Sequence, residues 1–312
     1  PFTPLRKPSG SSGPRILFHF LDRNATIRFY RRPHRPDYGN GDVNDMTSEQ
    51  TTKPLILLTN DDGFFSEGIQ DLFHALTPLA EVYIVAPDRE QSATSMALTL
   101  HSPLRVKHIE DRVFAVSGTP VDCVYMAVQK LLPGKPSLLL SGINPGPNLG
   151  QQDISYSGTM GGAQQGTFLG IPSVALSLMH DGEGNFDFDF ATRFAARLAA
   201  GILVSGLPEG VTVNVNIPPS PVRGIRLAGL GEKRYNPEIL VQKDPRDRTY
   251  YWIGTGIPRA VGGAGTDVHL IKQGYITITP VHRDLTDNTA LETSVFKNLW
   301  GLNSDEIIKK TI

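Results

Sequence analysis

Two neighbouring carboxylates, Asp61 and Asp62, end the apolar run Leu55-Ile56-Leu57-Leu58 and are followed at once by Gly63. Adjacent aspartates repel, and holding them side by side is costly unless a cation neutralises them. Asp-Gly is a common turn pair, but a turn needs one aspartate, not two. The pair therefore points to a divalent metal, and hard oxygen donors suit Mg²⁺ or Mn²⁺. Three further segments could do chemistry beside it. Ala86-Pro87-Asp88-Arg89-Glu90-Gln91-Ser92 could supply a hydroxyl ligand from Ser92, although alone it reads as a solvated loop. In 141–150, glycines and prolines fix an unusual backbone path, and Asn144 offers a neutral amide oxygen that a hard cation accepts. Ser157-Gly158-Thr159 opens a helix with two hydroxyls, free amides and the positive dipole end, a pocket suited to phosphate. Plain capping uses the same groups, so that last signal is weak on its own.

The elements that must position these residues are regular from residue 53. Apolar runs predict strands at 54–59, 82–86, 113–116, 137–140, 173–178 and 211–217. Helical spacing predicts helices at about 66–78, 121–132, 158–169 and 190–204. Strands alternating with helices predict a parallel sheet covered on both faces, an α/β Rossmann-like three-layer fold. Each candidate segment follows a strand or opens a helix, so all can meet at the carboxyl ends of the strands, where open α/β sheets place ligands. Thr119 before Pro120 is explained by capping alone, and Cys123 reads as a packed helix residue.

Beyond residue 220 the pattern breaks into short strand-like pieces near 225–230, 249–253 and 274–279, with a helix expected at 290–299. This tail, 221–312, reads as an extended arm or hairpin that packs on a second subunit. The first 45 residues contain six prolines and eight Lys or Arg against four Asp, with no sustained period, and read as a disordered or non-native leader.

Bulk properties exclude several classes. A net charge of −1 gives no electrostatic case for a nucleic acid polymer or a membrane surface, and no apolar run approaches the ~18 residues of a spanning helix. One cysteine rules out an intrachain disulfide framework and is compatible with the cytoplasm, the expected compartment. The eight histidines show no His-Glu-x-x-His spacing, and neither a P-loop nor a Gly-x-Ser-x-Gly elbow is present.

Taken together, these segments resemble the SurE family of stationary-phase survival proteins, which act as 5′-nucleotidases. The resemblance is carried by Thr59-Asn60-Asp61-Asp62-Gly63, Ala86-Pro87-Asp88-Arg89 with Ser92, Gly118-Thr119-Pro120, Ser141-Gly142-Ile143-Asn144 and Tyr156-Ser157-Gly158-Thr159. It spans roughly 54–300, and these motifs in this order make it specific. It implies one divalent metal per subunit, Mg²⁺ or Mn²⁺, held by Asp61, Asp62, Ser92 and Asn144. It also implies catalysis at Asp61 and Asp62, with phosphate held by Asn60, Ser157, Gly158 and Thr159. The implied reaction is hydrolysis of nucleoside monophosphates, with 3′-nucleotides and short polyphosphate as further substrates. The implied assembly is a homodimer or an arm-exchanged tetramer. Ala93 departs from the family pattern, in which many members carry glycine after the serine; alanine follows the same path unless φ is positive. Two competing readings remain. A covalent phosphatase would use Asp61 as nucleophile, although such enzymes carry Asp-x-Asp where this chain has Asp-Asp. A non-catalytic nucleotide sensor on the same fold would bind without turnover.

Overall fold

Successive side chains of a strand point to opposite faces, so a wholly apolar strand must be covered on both. The computed structural model describes residues 53–235, 238–254, 259–291 and 293. The expected leader lies outside them, as does most of the helix expected at 290–299. β1 (Leu55–Thr59), α1 (Glu67–Leu76) and β2 (Glu81–Pro87) form the first parallel unit. β3 (Val106–Glu110) pairs antiparallel with β4 (Val113–Val116), and α2 (Pro120–Met126) returns the chain to β5 (Leu138–Pro145). α3 (Gly150–Tyr156) and α4 (Gly158–Phe168) precede β6 (Ser173–Leu178), and α5 (Phe188–Ser205) precedes β7 (Val211–Ile217). Then come β8 (Gly224–Leu227), β9 (Glu232–Arg234), the hairpin β10 (Ile239–Lys243) and β11 (Thr249–Ile253), and β12 (Arg259–Val261). The described chain closes with α6 (Asp267–Leu270), β13 (Tyr275–His282) and α7 (Asn288–Leu291).

Nine strands form one sheet in the order β3-β4-β2-β1-β5-β6-β7-β13-β8. The six from β4 to β7 run parallel, while β3 and β13 run antiparallel to their neighbours β4 and β7. Ile56 and Leu58 join Ile69, Leu72, Ala191 and Ala195 under α1 and α5. Leu57 faces the other way, with Cys123, Val124, Met160 and Ala163 of α2 and α4. Each fully buried Leu or Ile contributes about 1.5–3 kcal/mol, so these two layers carry the fold. α2 opens on Thr119, whose hydroxyl accepts from the Asp122 N–H while Asp122 accepts from the Thr119 N–H, a reciprocal cap.

The expected division at 220 shifts. β8 and β13 belong to the main sheet, with β13 pairing with β7 over residues 277–282, so only β9–β12 lie outside it. β13 pairs because Ile276, Thr277, Thr279 and Val281 are buried, whereas Ile239, Tyr251, Trp252 and Ile253 of the hairpin are exposed.

Candidate active site

The chain leaves β1 for β2 on one side and later lays β5 on the other side of β1. The carboxyl ends of β1 and β5 therefore flank the sheet's switch point, the crevice where such folds bind ligands. Thr59 of β1 lies level with Ser141 of β5, so Asp61, two residues on, and Asn144, three residues on, share one rim. A bulge at Gly142-Ile143 shifts the β5–β6 register between Ser141 and Asn144, so that Asn144 re-enters the ladder opposite Ser177. Gly142 makes it possible: its φ is 132°, and an added Cβ would lie 2.3 Å from the Leu176 carbonyl oxygen. The Asn144 amide donates to the Gly146 carbonyl at 2.6 Å, and among the described residues its Oδ1 takes no hydrogen bond.

Asp61 is 5% exposed and lies against the start of α4. Gly158 comes so close that an added Cβ would be 2.8 Å from Asp61 Cβ. The Thr159 hydroxyl donates to Asp61 Oδ1 at 2.6 Å. Burial raises the Asp61 carboxyl above its usual value, opposed by the hydroxyl and N–H of Thr159. Asp62 is pushed up to about 7, first by burial, then by the charges of Asp61 and Glu90. Its Oδ2 is buried and has no hydrogen-bond partner among the described residues. A buried, unpaired carboxylate oxygen is expensive, and a cation would satisfy it. The residues thus fit a hard cation: two carboxylates with the neutral oxygen of Asn144. Among the described residues no three His, Cys, Asp or Glu side chains gather to hold a metal, so neutral oxygens must complete the shell.

Other expected residues lie near but in different roles. The Asn60 amide is taken up within its loop, donating to the Gly63 carbonyl and to Ser66 Oγ while accepting from the Gly63 N–H. It fastens the Asp-Asp turn and offers no spare donor to a phosphate. Ser157 Oγ caps α4 by accepting from the Met160 N–H, which leaves its hydroxyl proton available. Thr159 gives its proton to Asp61, leaving its hydroxyl oxygen only as an acceptor. Ser92 is exposed and donates to Glu90 at 2.7 Å, on a loop stitched to the carboxylates by the Gln91 N–H to the Asp61 carbonyl. The next residue, Ala93, has φ of 58°, the region glycine favours. Cys123 is fully buried, and burial lifts its thiol well above the usual value, so it is no nucleophile.

Sequence reasoning missed the residues that bolt the asparagine loop down. Asn216 accepts from the Asn148 N–H and donates to the Asn148 carbonyl, gripping one residue's backbone on both sides. Asn214 donates to the same carbonyl, and the Asn148 amide donates to Ser177 Oγ. Two asparagines at i and i+2 in the buried strand Val-Thr-Val-Asn-Val-Asn-Ile were the available signal. Glu90, whose charge bears on both aspartates, was likewise passed over.

The model of the family described as "Survival protein SurE" matches residues 56–237. A protein of Geotalea daltonii named 5′-nucleotidase SurE is 44% identical over 239 residues, 76% of this chain and 96% of the relative. One of the same name from Myxococcus xanthus is 45% identical over 254 residues, 80% of this chain and 96% of the relative. The crystal structure of the SurE protein from Aquifex aeolicus superposes with a TM-score of 0.68 at 38% identity, covering 79% of this chain and all of that one. Since the likeness runs through sequence and fold alike, over almost the whole length of the relatives, this chain belongs to the SurE family.

Proposed function

We propose that the protein is a divalent-metal-dependent 5′-nucleotidase that hydrolyses nucleoside monophosphates to nucleoside and phosphate. The activity is that named for its relatives. The observation that carries the metal dependence is the buried, unpartnered Asp62 Oδ2 beside Asp61 at the switch point. Asp61, Asp62, Asn144 Oδ1 and Ser92 Oγ would hold one Mg²⁺ or Mn²⁺. When bound, such a cation polarises a phosphoryl oxygen and lowers the pKa of water. The remaining work falls to the chain. Asp62, beside Asp61 at the rim, is placed to orient a water for attack. Asp61 is held still by Thr159, so its charge does not reorganise during reaction. The Ser157 hydroxyl and the amides at the start of α4 would receive the phosphoryl oxygens. A covalent route through Asp61 is poorly supported, because that carboxylate is buried and already hydrogen-bonded to Thr159.

Self-association through the exposed hairpin, as a homodimer or an arm-exchanged tetramer, and a cytoplasmic location belong to the same proposal. Among the described residues no helix is long and apolar enough to cross a membrane. The deciding experiment measures phosphate release from nucleoside 5′- and 3′-monophosphates and short polyphosphate with Mn²⁺, Mg²⁺ or EDTA. We expect metal-dependent release that Asp61→Asn abolishes. Release that persists in EDTA removes the metal, and binding without release from any substrate makes the protein a sensor.

A further inference from the structure

Asp153 lies on α3, 9% exposed, and its carboxylate gathers three donors. Lys233 Nζ approaches Oδ2 at 2.5 Å, the Tyr235 hydroxyl donates to Oδ1 at 2.8 Å, and the Leu149 N–H donates to Oδ2 at 3.1 Å. The Lys233 ammonium also lies 5.2 Å from the centre of the Tyr235 ring. Burial works against the Lys233 charge, but its bonds to Asp153 and Tyr235 win and hold its pKa above the usual value. An enclosed pair of this kind adds little net stability over well-packed apolar groups; its best-attested use is to fix one arrangement of two elements. The elements fixed here are α3 and the strand β9. Two more ties join them. The Gln151 N–H donates to the Gly231 carbonyl at 2.9 Å, and Asp267 accepts from the N–H groups of both Gly150 and Gly231 at 2.8 Å.

α3 runs straight into the candidate phosphate pocket. The Ser157 N–H donates to the carbonyl of Asp153 itself at 2.9 Å, and Ser157 caps α4. Thr159 and Met160 are held separately, by Asp61 and by core packing, so a release of α3 reaches the pocket through Ser157. On its other side the brace meets the base of the hairpin. β9 pairs with β12, and the two enclose β10 and β11 in the sequence.

We propose that Lys233, with Asp153 and Tyr235, is a positioning brace that holds the α3–α4 corner against the base of the hairpin and so sets the phosphate-binding end of the site. The proposal rests on the reading of Ser157–Thr159 as the phosphoryl pocket. The brace touches none of the four residues proposed to hold the metal, Asp61, Asp62, Ser92 and Asn144, so it acts on phosphate affinity rather than on cation affinity.

The test uses the full chain with Lys233→Met, Lys233→Arg, Tyr235→Phe and Ser157→Ala. The readouts are KM and kcat for a nucleoside monophosphate, inhibition by inorganic phosphate, substrate-free Mn²⁺ binding and the melting temperature. Lys233→Met should raise KM and the phosphate inhibition constant together by about tenfold, with Mn²⁺ affinity changed by less than about twofold. Tyr235→Phe, which deletes one hydroxyl and folds even if the methionine variant does not, should shift both the same way by about threefold. Lys233→Arg should recover most of the loss. Unchanged KM and phosphate inhibition in Tyr235→Phe and in folded Lys233→Met overturn the brace, as does a loss that falls equally on Mn²⁺ binding. If Ser157→Ala weakens phosphate and Lys233→Met does not, the brace alone fails. If Ser157→Ala leaves phosphate inhibition unchanged, the pocket reading fails and the brace with it.

Discussion

Asp61 and Asp62 are adjacent in the chain yet meet different surroundings. Thr159 offsets part of the burial cost of Asp61, while Asp62 meets burial and two negative neighbours with no donor to its Oδ2 among the described residues. Because the folded Asp62 titrates near 7 and the unfolded one near 3.8, the metal-free folded protein holds the extra proton between those values. Its stability contribution is therefore full below the unfolded value and lost as pH rises through the folded one. A cation must displace that proton. We expect substrate-free Mn²⁺ affinity to fall as pH drops below about 7, by at most about tenfold per unit, while the metal-free protein melts higher over the same interval. Calorimetry at several pH values reads both, and a flat affinity profile refutes the assignment. Thr159→Val should raise the Asp61 pKa further and weaken Mn²⁺ by about five- to tenfold. Ala93→Gly, which relieves φ of 58°, should raise the denaturant midpoint by an amount worth up to about 1 kcal/mol. That Asp61, Asp62 and Asn144 would share one rim was legible in the sequence, because each stands at or just past the end of a buried strand. The use of Asn60 as a fastener and of Thr159 as a donor to Asp61 was not, because a polar side chain does not announce its partner.

Elements were legible in proportion to their own periodicity. α4, rich in glycine and buried on most sides, has no apolar stripe, whereas the buried strands and the helices α1 and α5 follow from apolar spacing. α3 does not, since Gly-Gln-Gln-Asp-Ile-Ser-Tyr has no apolar stripe and is held by ties to residues 231–235 and 267. β3, Val-Lys-His-Ile-Glu, is an edge strand exposed along most of its length and gives no buried pattern. The bulge in β5 was visible only as a cluster of glycines and prolines; its purpose depends on β6 beside it. Gly142→Ala would drive a methyl into the Leu176 carbonyl at φ of 132°, costing about 2 kcal/mol or more. We expect a lowered denaturant midpoint together with weakened Mn²⁺ binding, because Asn144 rides on that bulge. A midpoint equal to wild type shows that the strand relaxes there.

At the scale of the molecule, the tail divides into a part that completes the sheet and a hairpin that does not. A sequence of short strand-like pieces could not separate these, since β10 and β11 are as apolar as β13 and differ in having nothing laid over them among the described residues. Tyr251, Trp252 and Ile253 are 67%, 61% and 77% exposed, a costly apolar display for an isolated chain. Tyr251→Ser with Trp252→Ser should move the protein to a smaller species in sedimentation velocity, and an unchanged sedimentation coefficient removes the hairpin from the assembly. The placement of β13 bears on how the protein comes into being. The last strand of the sheet to be synthesised is an interior one, seated between β7 and β8, and Asp267, which clasps the start of α3, lies just ahead of it. A ribosome has thus delivered Asp61, Asp62, Asn144 and the start of α4 long before the sheet can close along β7. Until residue 282 has emerged, the nascent chain holds every residue proposed for the site but not the closed sheet, and a product cut short near residue 220 should neither bind Mn²⁺ nor release phosphate.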